Sequence, residues 1–339
     1  MLVKALRYKP KHALVSLGLH DALRILERYE KRYGTLATLN IVTVRGAKGF
    51  VEVDKKVVGE NMLLHNFWAL FIGLLFDQNV GFTIVNGTRD TLRTSGDVNY
   101  RPAQVCVGDN DYPVSFDQYN LLGSVSCTDA TITVAVDSES KLSRVTISAP
   151  SPKDGVETGV RQALIETGGS NYYTMLSRRI VSISMNQTVV HRWNFYEPWL
   201  YNWASIMCGI LRNENIAMKD ISGSSLTART SAEFNASGAR IVISQNSISF
   251  DPEMYNIPNM VEIDTHYNVW STQQYVIGHI LGIYVPDTDI DIYTVGLVQK
   301  VYDTEGYTYD VLQAALPLST PIHMKAGRPN MILWRIVAF

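Results

Sequence analysis

The sequence predicts a mainly β protein, in which a β-sandwich or jelly-roll-like body follows an N-terminal region of helix and hairpin. Beyond residue 100 the chain consists of short runs rich in β-branched and aromatic residues, separated by polar and Gly-rich turns. A single apolar run of helical length precedes this part of the chain. Charged residues make up only 18% of the chain, against roughly 25% in typical soluble domains, which suits sheet faces and wide protein contacts.

The first hundred residues contain three predicted elements. Leu19, Leu23 and Leu26 recur at helical spacing, so residues 13–33 form an amphipathic helix. Residues 36–58 look like a β-hairpin that turns at Arg45–Gly49. Residues 60–77 form a buried helix, ended by residues 79–81, because an apolar run of this length is too short to span a bilayer.

The β body is traced by its turns. Residues 131–136 and 142–148 read as one hairpin, and residues 181–185 and 189–195 as another. Further strands are predicted at 240–248, 275–285, 290–301 and 331–339, and a buried helix at 198–212. No exact repeat is evident. We therefore predict an N-terminal assembly region over residues 1–100 and a β body over 101–339, with a break near 215–225.

Composition and charge narrow the function classes. The 339 residues are 46% hydrophobic, as in globular proteins, and the net charge of −2 gives no overall reason to bind nucleic acid. The first residues are locally basic, through Lys4, Arg7, Lys9 and Lys11. We predict a solvated end there, with contact to an acidic partner or a nucleic acid as the alternative.

The three cysteines form neither a disulfide framework nor a zinc site. We predict buried free thiols at Cys106, Cys127 and Cys208, with a Cys106–Cys127 pair across a sheet as the alternative. No secretory signal precedes the body, because the apolar positions after the basic start soon meet charges.

Two acidic clusters are candidate metal sites. Asp287, Asp289 and Asp291 resemble the start of a calcium loop, but the required glycine is missing and Val298 stands where a bidentate glutamate belongs. A solvated strand face is the better interpretation. Asp109 and Asp111 are likewise predicted to form a turn.

No catalytic motif stands out. The chain has no nucleophile elbow and no phosphate-binding loop, and Glu166 and Glu197 are not distinguished from chance pairs. The histidines are scattered, at His12, His20, His65, His191, His266, His279 and His323. We predict no catalytic residue, no cofactor site and no metal site. The glycosylation motifs at Asn86, Asn186 and Asn235 are as many as chance provides.

One order of elements resembles a known group of proteins. The apolar run Gly59–Phe76 precedes Val107-Gly108, Pro113, Asp117 and Leu121, and Ser177–Ile180 precedes the strand Val189–Phe195. This order is similar to that of tail, baseplate and fibre-type proteins of tailed phages, over residues 59–211. The Tyr-, Asn-, Thr- and Val-rich composition also resembles coat, turret or spike proteins of viruses that infect archaea.

The resemblance implies a structural virion subunit, located in the virion, that forms a homo-oligomer, contacts other virion proteins and has no enzyme activity. A carbohydrate- or receptor-binding β protein is the alternative, with a glycoside-active enzyme as its weaker form. The partner is then a host-surface glycan or receptor. Trp193, Trp199, Trp203 and Trp270 are then the candidate sugar-stacking residues, although three of them in one short window favour a buried cluster. A weaker option is a basic-armed capsid component that contacts nucleic acid.

Overall fold

The computed structural model describes residues 3–6, 20–34, 37–93, 98–166, 171–231, 234–271 and 276–338. Within these ranges strands far outnumber helices, which confirms the predicted mainly β class. The helices are α1 His20–Tyr33, α2 His65–Phe76 and α3 Tyr201–Arg212. Residues 13–19, the first part of the predicted helix 13–33, lie outside the described ranges.

The strands before α3 are β1 Val3–Leu6, β2 Thr38–Val44, β3 Ala47–Val53, β4 Lys56–Leu63, β5 Asn79–Thr83, β6 Arg89–Arg93, β7 Val98–Tyr100, β8 Gln104–Gly108, β9 Val125–Asp129, β10 Thr131–Val136, β11 Ser143–Pro150, β12 Gly155–Glu166, β13 Asn171–Ile183 and β14 Thr188–Phe195. Those after it are β15 Ile216–Lys219, β16 Ser225–Ala228, β17 Arg240–Ser244, β18 Val261–Glu262, β19 Asp264–Ser271, β20 Val276–Tyr284, β21 Ile290–Tyr302, β22 Thr308–Met324 and β23 Asn330–Ala338.

Three sheets contain most of these strands. A ten-stranded sheet runs β10-β11-β14-β3-β4-β13-β12-β8-β9, with β7 also beside β12. A five-stranded sheet runs β1-β2-β23-β20-β19, and a four-stranded sheet runs β18-β17-β21-β22. The two end strands of the ten-stranded sheet, β9 and β10, are joined through Ala130 alone, and β11 contacts both β8 and β9. The sheet therefore curves until its edges nearly meet.

The predicted hairpin over residues 36–58 was wrong in its pairing. Strand β2 pairs with β1 and β23, whereas β3 pairs with β4 and β14. The actual hairpin joins β3 to β4 through Asp54 and Lys55, both of which have positive φ. Gly46 and Gly49 were taken for turn residues, but a Cβ there would overlap the side chains of Trp68 and Asn61. These glycines allow close packing instead.

The second hairpin prediction placed the turn correctly but the strand partner wrongly. Residues 184–187 form a turn, with Asn186 at φ 67°. Strands β13 and β14 are nevertheless separated in the sheet by β4 and β3. The hairpin predicted around residues 137–141 is confirmed as β10–β11.

Helix α2 is shorter than predicted. Residues 59–63 belong to β4, and the helix ends at Asp77 in the left-handed conformation, before residues 79–81 begin β5. All twelve of its residues are buried, as an all-round apolar sequence requires. It contacts β20, where a Cβ on Gly278 would meet the ring of Phe76. The buried helix predicted at 198–212 is confirmed as α3.

The chain contains a structural repeat that the sequence analysis did not find. Asn66 of α2 donates from Nδ2 to Thr83 O at 2.7 Å. Asn202 of α3 donates in the same way to Lys219 O at 3.0 Å. The residue numbers differ by 136 in both cases (66 and 202, 83 and 219). The left-handed helix ends at Asp77 and Asn213 keep the same interval.

The repeat extends through the sheets. The strand order β9-β8-β12-β13 recurs as β18-β17-β21-β22, and β10-β11-β14 recurs as β19-β20-β23. Even the irregularities match, because the shift between Val160 and Arg161 in β12 recurs between Leu297 and Val298 in β21. We call residues 60–195 unit 1 and residues 196–338 unit 2.

The helix of each unit packs partly against the other unit. In unit 1, Ala103 donates its N–H to Leu211 O at the end of α3, and in unit 2 Ala239 donates to Leu75 O at the end of α2. Helix α2 contacts β19 and β20 of unit 2, and α3 contacts β10 and β11 of unit 1. Reciprocal contacts of this kind are the mark of a two-fold relation between units.

One hydrophobic cluster extends through the molecule and includes residues from Val42 to Ala338. Both of the predicted regions, 1–100 and 101–339, contribute to it. The boundaries near residue 100 and at 215–225 stay predictions.

Candidate functional site

Unit 1 contains a buried polar cluster, contributed by strands β14, β4, β13 and β12 of the ten-stranded sheet. The imidazole of His191 in β14 lies with Nδ1 3.1 Å from Asn61 Nδ2 and 3.4 Å from Ser177 Oγ. Its Nε2 lies 3.1 Å from Thr158 Oγ1, whose hydroxyl donates to Cys106 O at 2.9 Å. Because that hydroxyl proton is already used, Nε2 carries the hydrogen and Nδ1 accepts from Asn61. Burial lowers the pKa of His191 to about 3, so the ring is neutral.

A fully buried ion pair lies beside this cluster. Arg178 Nε and Nη2 each lie 2.6 Å from Glu157 Oε2. Arg178 Nη1 donates to Gln118 Oε1 at 2.7 Å and Nη2 donates to Tyr112 O at 2.9 Å. Glu157 Oε1 accepts the N–H of Leu122 at 2.8 Å. The pair therefore fastens both ends of the connection between β8 and β9, which we call the 109–124 loop.

A disulfide closes the base of the 109–124 loop. Cys106 in β8 and Cys127 in β9 stand directly opposite each other, with Cα atoms 4.0 Å apart, and are bonded. The prediction of free thiols at these two positions was wrong, because the pairing register that brings them together is not visible in the sequence. Cys208 is free and buried, as predicted. The backbone N–H of Ser124, followed by Lys153, lowers the pKa of Asp109 at the same base.

The 109–124 loop is exposed although it is so firmly held. Tyr112 is 64% exposed, and Tyr119 and Leu122 are exposed as well. Loops that carry binding functions are commonly positioned in this way by a rigid scaffold. The predicted turn at Asp109 and Asp111 lies at the start of this loop.

A groove runs beside the loop, where β4 and β13 separate. The two strands pair only at Leu63–Ser177 and Met62–Arg178. Below this point Arg179 bridges them, donating from Nη1 to Glu60 O at 2.7 Å and from Nη2 to Val58 O at 3.2 Å. The groove has a volume of about 470 Å³. We call it the β4–β13 groove, and it is lined by Glu60, Asn61, Met62, Val114, Arg178, Arg179 and Ile180.

Most of the exposed large apolar side chains of the described residues lie on the elements around this groove. They are Val57, Met62, Tyr112, Tyr119, Leu122 and Met185, on β4, on the 109–124 loop and after β13. Exposed apolar side chains gathered on neighbouring elements are typical of protein–protein contacts. The arrangement suits the binding of a polypeptide segment.

Unit 2 provides an internal comparison for the polar groups of unit 1. The equivalent strand pairs Gly159–Arg178 and Gly296–Ala315 place Ala315 at the position of Arg178. The same register places Thr294, Val295 and Ala314 at the positions of Glu157, Thr158 and Ser177. Since unit 2 adopts the same strand arrangement with smaller or apolar residues, the fold alone does not require the polar cluster.

The chemistry available in the cluster is limited by burial. Ser177, His191 and Thr158 are all fully buried, so none of them presents a nucleophile or a base to solvent. Within the described ranges, no group of three or more His, Cys, Asp or Glu side chains is placed to hold a metal ion. The exposed lining of the β4–β13 groove combines apolar side chains with charged ones.

The residues singled out from the sequence lie elsewhere. Trp193, Trp199 and Trp203 are fully buried and pack with Phe67 and Phe71, which confirms a buried cluster and removes them as sugar platforms. The side chains of Trp270 and Glu166 lie outside the described residues. Glu197 is exposed and precedes a cis proline.

The triple-aspartate segment is not one strand face. Asp287 and Asp289 precede β21, and Asp291 lies within it. Asp289 Oδ2 lies 2.5 Å from Lys325 Nζ, and Asp291 Oδ1 lies 2.8 Å from His323 Nδ1. Asn86 and Asn186 are in exposed turns, and Asn235 is half-buried.

Sequence reasoning missed the Arg178–Glu157 pair and the β4–β13 groove. The groove depends on β4 and β13, which are more than 100 residues apart in the chain. The ion pair lies between the consecutive strands β12 and β13, and it depends on their register. The sequence does carry a signal of the repeat, which would have allowed the two units to be compared. Five residues recur 136 positions later: Leu64, Asn66, Gly73, Leu75 and Asn79 recur as Leu200, Asn202, Gly209, Leu211 and Asn215.

No protein-family model, no curated protein and no solved structure matches the chain. None of the helices in the described residues combines the length and apolar character needed to cross a membrane.

Proposed function

We propose that the chain is a structural subunit of a virus particle, in a tail, baseplate, spike, turret or coat, and that it acts by multimeric assembly without turnover. The observation that carries the proposal is the rigid, apolar surface formed by the β4–β13 groove and the 109–124 loop. A loop held by a buried ion pair and a disulfide loses little conformational freedom on binding, so it suits a permanent contact.

Two further observations support this role. The Cys106–Cys127 disulfide fits a protein that must persist in an oxidising environment, as particle proteins do outside cells. Each unit has two sets of strands that share one core, which in unit 1 are β9-β8-β12-β13 and β10-β11-β14. We propose that the two sets face each other as the layers of a sandwich.

The test is the size and stability of the purified protein. Light scattering and negative-stain electron microscopy are expected to show defined multimers. Thermal unfolding is expected to shift upwards with protein concentration, because association stabilises only the folded chain. A stable monomer at every concentration, absent from purified particles by mass spectrometry, contradicts the proposal.

In the carbohydrate-binding alternative, Trp193, Trp199 and Trp203 cannot stack on a sugar because they are buried. Binding would depend on exposed tyrosines such as Tyr112. A glycan array distinguishes the two functions. If the monomer binds a specific glycan, and Tyr112→Ala loses that binding, the alternative is favoured.

A further inference from the structure

The tip of the β21–β22 hairpin is a rigid knob. Asp303 Oδ1 accepts the backbone N–H groups of Glu305 at 2.9 Å and of Tyr307 at 2.8 Å. The backbone N–H of Asp303 also donates to Tyr307 O at 3.0 Å, and Gly306 takes a φ of 91° that closes the turn. Tyr307 is 62% exposed and Glu305 is exposed beside it. We call residues 303–307 the 303–307 tip.

The β4–β13 groove has the complementary chemistry. Met62, Val114 and Ile180 are the apolar residues of its lining, and we call them the apolar floor. Arg179 has no carboxylate within ion-pair distance among the described residues, whereas the carboxylate of Glu60 is paired with Lys48. The groove therefore carries one uncompensated positive charge beside an apolar surface, which fits an aromatic side chain next to a carboxylate.

Among exposed large apolar residues away from the groove, Tyr307 is the most exposed. Tyr255 instead lies against Gly223 with Lys219 over its ring, and Val261 belongs to a two-residue strand. Tip and groove are both exposed in the single chain, so each is available to a second copy.

We propose that the 303–307 tip of one copy docks in the β4–β13 groove of the next, with Tyr307 on the apolar floor and Glu305 paired with Arg179. This inference rests on the proposed assembly function and names the partner, which is a second copy of this chain. The contact joins different surfaces of the two copies, so repetition closes a ring or extends a filament.

The test is a charge exchange in the full-length protein, followed by sedimentation velocity. Glu305→Arg and Tyr307→Ala alter only the exposed tip, and each is expected to weaken association about tenfold or more, as loss of an interface anchor does. Arg179→Glu is expected to weaken it similarly. The double variant Arg179→Glu with Glu305→Arg is expected to recover most of the loss, because it restores the opposite charges. Tyr255→Ala is the matched control and should leave association unchanged.

The outcomes separate this inference from the proposed function. If the natural protein assembles but Glu305→Arg and Tyr307→Ala assemble equally well, the tip is not the partner and the inference is overturned, while the assembly function stands. Failure of the double variant to recover association, with its thermal unfolding intact, also overturns it. A natural protein that never assembles removes both proposals.

Discussion

At the scale of single residues, Arg178 is the most consequential side chain of the described structure. It is fully buried and its charge is compensated only by Glu157. A buried ion pair stabilises little over an apolar replacement, but removal of one partner leaves the other charge without compensation. The pair therefore serves to position the 109–124 loop. The corresponding connection of unit 2, between β17 and β18, is held by apolar side chains instead.

This reasoning gives a prediction for the ion pair. Glu157→Thr alone introduces the unit 2 residue but leaves Arg178 unpaired, and should lower the free energy of unfolding by about 3–5 kcal/mol. The double variant with Arg178→Ala reproduces unit 2 and should cost less. Urea unfolding measures both. A double variant that loses more stability than the single one contradicts the interpretation.

Two buried histidines predict an acid-sensitive fold. Burial lowers the pKa of His191 to about 3 and that of His279 to about 4. In the unfolded chain both have pKa values near 6.5. The unfolded state therefore binds more protons below about pH 6.5, so stability is full above that pH and falls as the pH drops towards 4.

The measurement is the unfolding free energy between pH 7 and pH 4. Each histidine should contribute a slope on the order of 1 kcal/mol per pH unit. His191→Leu should flatten the profile, whatever its effect at pH 7, and the surface variant His323→Gln is the control. An unchanged slope in His191→Leu would mean that the ring is not held neutral.

At the scale of elements, the two buried helices end in the same way. Gln299 of β21 donates from Nε2 to Leu74 O at 2.8 Å, and Gln162 of β12 donates to Ile210 O at 2.8 Å. The last carbonyl groups of a helix have no partner within the helix. In each case a glutamine from the opposite unit supplies the missing donor.

Gln162→Leu and Gln299→Leu should therefore each destabilise the protein by about 1–3 kcal/mol, because a buried carbonyl loses its donor. Similar losses in the two variants are expected from the repeat. Chemical denaturation provides the measurement, and Gln245→Leu, at an exposed position, is the control. No loss in either variant would mean that these bonds do not support the helix ends.

The sequence located turns better than pairings. It found the turns at 137–141 and 184–187, because left-handed and Asx positions are local features. It could not show that β3 and β4 insert between β13 and β14, because pairing depends on strands far apart in the chain.

At the scale of the whole molecule, the packing of α2 and α3 against both units makes the two units interdependent. Each helix is buried against strands of the other unit and receives its terminal hydrogen bonds from them. Neither unit can lose its structure without exposing the apolar helix of its neighbour.

We therefore expect the chain to unfold in one cooperative transition. Calorimetry should give equal calorimetric and van't Hoff enthalpies per folding unit, with the dissociated protein used so that assembly does not contribute. Phe71→Ala, at the contact between α2 and α3, should lower the free energy of unfolding by about 3–5 kcal/mol. The variant should still unfold in one transition. Two resolved transitions would show that the units are independent.

The sequence by itself determined the mainly β class, the two apolar helices and the burial of the tryptophan cluster, because these follow from local propensity and from the hydrophobicity of each segment. Only the tertiary structure decided which strands pair, that Cys106 meets Cys127, that Arg178 meets Glu157, and that the helix of each unit also packs against the other unit. The physical reason is that a contact between distant segments depends on register, and a shift of one residue in a strand turns every side chain to the opposite face.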